Sequence, residues 1–121
     1  RDSVMKLKDT TVQMEINPVL MDFLFRVDTQ YRKWDSELII TSGSEESARH
    51  GIQSLHYAKP GCAVDVRTHE INNVPTPSVQ KDALDWVKDH YCEEKDIPLS
   101  WIEIILEKDH IHIEFQPKRK G

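Results

Sequence analysis

"WIEIILEKDHIHIEFQ", Trp101 to Gln116, decides how the chain is read. Two β-favouring runs, 101–106 and 110–116, flank the short polar segment Glu107-Lys108-Asp109, which is the pattern of an antiparallel hairpin. In the second run the alternation is strict. It sends Ile111, Ile113 and Phe115 to a core and His110, His112 and Glu114 to the opposite face. Taken alone, such a face is what a half-solvated antiparallel sheet presents.

Moving outward, Cys62 to Arg67 ("CAVDVR") reads as a strand in which Asp65 shares a face with Ala63 while Val64 and Val66 turn inward. Glu37 to Thr41 ("ELIIT") reads as another, opening at Ser42-Gly43 into a polar loop of some twenty residues, a length that usually signals function or disorder. Asn17-Pro18 caps a helix over about residues 18 to 34, with Leu20, Phe23, Leu24, Val27, Tyr31 and Trp34 inward. Thr76-Pro77 starts a second helix running to about Glu93, whose expected buried stripe is Val79, Ala83, Trp86, Val87 and Tyr91. Helices and strands in separate blocks, joined to a hairpin, predict a single α+β domain over 1–121. Its sheet is mainly antiparallel, with helices packed on one face.

Composition narrows the function. The 121 residues carry a formal charge of -5, with 38% hydrophobic and 31% charged residues. That length suits one domain, and the acidic balance disfavours a nucleic-acid partner, which calls for a basic face. The basic tail Lys118-Arg119-Lys120 reads as solvated. No apolar run approaches a membrane span. Cys62 and Cys92 are too few for a disulfide scaffold and are read as free thiols, with Cys62 packed on the core side. The chain opens on Arg1, as a processed form or an excised domain would, and localisation stays open.

His56, Asp65 and one of the paired histidines could supply the three ligands of a catalytic zinc site, leaving a position for water. The metal would polarise a peptide carbonyl, which is hydrolytic chemistry. "SLHYAKPGCAVDV" (Ser54 to Val66) together with "DHIHIEF" (Asp109 to Phe115) resembles the paired motifs of the zinc D-alanyl-D-alanine carboxypeptidases. That family includes phage L-alanyl-D-glutamate endolysins, and the hedgehog domain shares its metal site. The similarity to hedgehog reaches back over "ITSGSEESARHGIQSLHY" (Ile40 to Tyr57).

The resemblance implies a hedgehog/D-Ala-D-Ala-peptidase-like fold, a Zn2+ cofactor and peptidoglycan stem peptides as substrate, cut near a D-amino acid by a monomer acting on the cell wall. It implies zinc on His56, Asp65 and His112, Asp109 as base and His110 at the oxyanion or leaving group. A second registration stays open: Glu107, three residues before His110, matches the Glu-x-x-His of the dipeptidase branch, with His110 as ligand and Glu107 as base. The turn between His56 and Asp65 is two residues longer than the family pattern, and Ser44-Glu45 stands where the peptidases often carry Tyr-Arg. Arg49 is the candidate to hold a substrate carboxylate in its place, and His50 aligns with a histidine near the hedgehog metal. Two rival readings use the same residues: a zinc-binding structural or binding module without turnover, such as a phage tail component, and a metal-free domain with a polar sheet face.

Overall fold

The computed structural model describes residues 5–44 and 62–117. Among the described residues the elements run β1 (Lys6–Leu7), α1 (Pro18–Lys33), β2 (Ile39–Ser42), β3 (Ala63–Arg67), α2 (Pro77–Lys95), a 3-10 turn (Leu99–Trp101), β4 (Ile102–Leu106) and β5 (His110–Phe115). The hairpin forms as the alternation requires, with Ile104 opposite Ile113 and Leu106 opposite Ile111. The sheet order is β1-β2-β3-β5-β4. All neighbours are antiparallel except β1, which lies parallel to β2 and makes the sheet mixed. A two-residue strand carries no periodic signal, so nothing in the sequence foretold β1.

The pairing of β3 with β5 sets the geometry that matters. Val64 faces Ile113 and Val66 faces Ile111, while Asp65 stands opposite His112 and Arg67 opposite His110. One sheet face is therefore aliphatic and the other carries the ionisable groups. Both helices cover the aliphatic face: Leu20, Phe23, Leu24 and Val27 of α1 and Leu84, Val87 and Tyr91 of α2 join Val64, Val66, Ile111 and Ile113 in one buried cluster. Burying each large side chain of this kind contributes roughly 1.5–3 kcal/mol. This core fixes the strand register, because a one-residue slip would turn the aspartate and histidines into it.

Helix starts follow local chemistry. Asn17 Oδ1 accepts from the Val19 N–H at 2.8 Å and the Leu20 N–H at 3.4 Å, and Pro18 takes the first helical position, where no N–H is needed. Thr76 precedes Pro77 but makes no side-chain cap.

The expected stripe of α2 needs correction. Val79 and Trp86 are 48% and 53% exposed, whereas Gln80 and Leu84 are fully buried. The reason is Gln80: its Nε2 donates to the Thr68 and Pro75 carbonyls at 2.9 Å each, and its Oε1 accepts from the Tyr31 hydroxyl at 2.7 Å. A fully satisfied amide is cheap to bury, so α2 presents this polar residue inward and turns Trp86 out.

The edge near Asp65 is shaped by β2. A bulge between Ile40 and Ser42 shifts the register, and the Thr41 hydroxyl donates to the Asp65 carbonyl at 3.3 Å. Gly43 follows immediately; a Cβ there would overlap the Gln13 carbonyl oxygen. Bulges recur where a sheet must re-aim a side chain.

Candidate metal centre

Asp65 sits in the middle of β3 on the face away from the helices, yet it is only 2% exposed. A buried carboxylate needs partners, and two imidazoles supply them. His112 Nδ1 lies 2.7 Å from Asp65 Oδ1, and His110 Nε2 lies 3.6 Å from the same oxygen. Strand alternation brings both rings to this face, and cross-strand register brings them to this aspartate.

The two histidines then differ. His112 has carboxylates at both nitrogens, Asp65 at Nδ1 and Glu114 Oε1 at Nε2, 2.8 Å away. Carboxylates only accept, so both nitrogens carry hydrogen and the ring is an imidazolium. Burial pulls its pKa down, but the hydrogen bonds and charges of Asp65 and Glu114 outweigh that and raise it to about 9. Gln116 Nε2 donates to Glu114 Oε2 at 3.2 Å and steadies the far end of this chain.

His110 is arranged as a ligand would be. Its Nδ1 faces Asp109 Oδ1 at 2.6 Å, and its Nε2 faces Glu107 Oε1 at 3.0 Å. Histidines that bind metal generally give their other ring N–H to a carboxylate or carbonyl, which fixes the tautomer and leaves one nitrogen for the ion. Asp65, Glu107 and His110 each offer one ligand atom, and these atoms lie within 4.8 Å of one another. This group can hold a metal ion. Donor atoms around a tetrahedral ion with bonds of about 2.0–2.1 Å stand about 3.3 Å apart, and the 3.0 and 3.6 Å separations bracket that value. Two carboxylates and an imidazole are also donor types that zinc accepts.

The sequence-derived residues are thus partly assembled. Asp65, His110 and His112 share one face, Asp109 touches His110 from the exposed side, and Glu107 closes the group from the start of the turn, where its N–H also donates to the His110 carbonyl at 2.8 Å. His56, Arg49 and His50 lie outside the described residues. Glu114 was read from the sequence only as one more polar residue of the strand face; the signal for its contact with His112 was its place two residues on. His90 is exposed and lies against Trp86 with ring centroids 3.9 Å apart. No helix among the described residues is long and apolar enough to cross a membrane. Neither a protein-family model nor a curated protein sequence matches the chain.

Proposed function

We propose that the chain is a zinc-dependent peptidase acting on peptidoglycan stem peptides, cutting near a D-amino acid as a D-alanyl-D-alanine carboxypeptidase or an endolysin does. The observation that carries the reading is the convergence of Asp65, Glu107 and His110, with His110 held by Asp109 through its other nitrogen. The α+β layout with a polar sheet face supports the resemblance to the hedgehog and D-alanyl-D-alanine peptidase group.

The geometry favours the registration in which His110 is the ligand. Both rings lie between two carboxylates, but it is His110 that brings a ring nitrogen within 4.8 Å of carboxylate oxygens of both Asp65 and Glu107, while His112 bridges Asp65 and Glu114. Asp65 and His110 would then hold zinc, with His56 as the third ligand by resemblance and Glu107, the remaining member of the group, kept as the base and not as a ligand. Zinc bound there supplies a Lewis acid that activates water and polarises the scissile carbonyl. Glu107 is about half exposed just beyond β4 and beside His110, and serves as the base, taking a proton at Oε1 and passing it to the leaving amine. Asp109 orients the His110 ring. His112, held by Glu114, fixes the Asp65 carboxylate.

Purified peptidoglycan incubated with the zinc-loaded protein tests this. Mass spectrometry is expected to find new termini at a D-amino acid, lost when a chelator strips the metal and restored when zinc is returned. Zinc bound at one equivalent with no cleavage would instead favour the non-catalytic zinc module.

A further inference from the structure

Arg67 closes β3, two residues beyond Asp65 and on the same sheet face, and it stands directly opposite His110 in the β3–β5 ladder. Its Nε is buried and has no hydrogen-bond partner, and the guanidinium forms no ion pair among the described residues. The other arginines of the described residues behave differently. Arg26 grips Glu94 with two nitrogens at 3.1 and 2.5 Å, and Arg32 pairs with Asp28 at 3.2 Å. Nor is Arg67 short of acidic neighbours on its face: Asp65, Glu107, Asp109 and Glu114 are all engaged with His110 or His112. A buried, unpaired N–H is costly unless a ligand completes it, and the guanidinium fork matches a planar carboxylate with two parallel bonds.

We infer that Arg67 is the residue that binds a carboxylate of the substrate, an inference that rests on reading the neighbouring group as a hydrolytic metal centre. Arg67 and His110 are directly opposite in an antiparallel pair, which sets their Cβ atoms about 4.5–5.5 Å apart. The carboxylate that Arg67 holds therefore belongs to a substrate bound on the sheet face that carries the metal centre. Either a free peptide C-terminus or the α-carboxylate of a residue linked onward through its side chain meets that description. Arg67 is a binding residue here, so its loss raises KM more than it lowers kcat.

The Arg67 Nε–Hε resonance of the zinc-loaded chain reads this directly. It is expected to shift on titration with N-acetyl-D-alanine or with N-acetyl-D-glutamine, and not with N-acetyl-D-alaninamide. The tighter of the two acids identifies which kind of carboxylate the site prefers. Arg67→Met is expected to weaken binding of that acid at least tenfold, and Arg67→Lys to weaken it less. An Hε resonance that neither acid moves would overturn the inference, and so would a folded Arg67→Met protein that binds both acids as before. If Arg67→Met does not fold, the titration of the unmodified chain still decides. Zinc binding with no Hε shift sinks the role of Arg67 alone, whereas an Hε shift in a chain that binds no zinc keeps the carboxylate site and sinks the hydrolytic reading.

Discussion

Glu107→Gln is expected to lower peptidoglycan hydrolysis by about 10²–10⁴-fold while leaving zinc affinity and the fold nearly unchanged, the range over which a positioned general base acts. Glutamine keeps the size of the side chain and an oxygen that can face His110, now 3.0 Å from Glu107 Oε1, but it cannot take a proton at neutral pH. The position tolerates change because Glu107 is the first residue beyond β4 and is exposed. Turnover on peptidoglycan and zinc competition against a chromophoric chelator, measured on the same preparation, separate the two possible roles. A variant that loses zinc along with activity would make Glu107 a ligand, and one that keeps full activity would remove it from the mechanism.

Stability of the metal-free protein is expected to fall as pH rises from neutrality to 9 and above. His112 is raised from its ordinary 6.5 to about 9 because Asp65 and Glu114 outweigh the penalty of burial. A folded-state value above the unfolded one means that the native protein holds the proton more tightly. The resulting stabilisation is complete below about 6.5, declines between 6.5 and 9, and is lost above that. Its full size is about 3 kcal/mol, at roughly 1.4 kcal/mol per tenfold difference in proton affinity. Urea unfolding at pH 6, 7.5 and 9.5 should show the decline in the parent chain and a much flatter profile in His112→Gln. Equal slopes in the two proteins would mean that this imidazolium contributes nothing.

Much of this architecture is written locally. Strict alternation through His110–Phe115 placed the histidines opposite the isoleucines, and Asn17-Pro18 marked the start of α1. The α2 stripe departs from the periodicity because hydropathy cannot register the three hydrogen bonds that bury Gln80, which connect it to Tyr31, Thr68 and Pro75, separated from it by 49, 12 and 5 positions. β1 was missed since two residues at a sheet edge have no period to detect. At the site, the sequence assembled Asp65 with the His-x-His pair but left two registrations open. The choice depends on which ring nitrogens meet Glu114, Asp109 and Glu107, a matter of side-chain rotamers and cross-strand register. Arg67 was likewise unremarkable as one more strand residue until its Nε proved buried without a partner.

The registration is also the central claim, and zinc affinity of His110→Ala beside His112→Ala tests it most directly. Losing a ligand is expected to weaken zinc binding well beyond the loss of an outer hydrogen-bonding partner, which typically costs about 10–100-fold. His110→Ala should therefore bind zinc at least about 100-fold more weakly than the parent, with His112→Ala affected less. Near-parental zinc affinity in His110→Ala, with binding abolished in His112→Ala, would contradict the account and move the metal to His112.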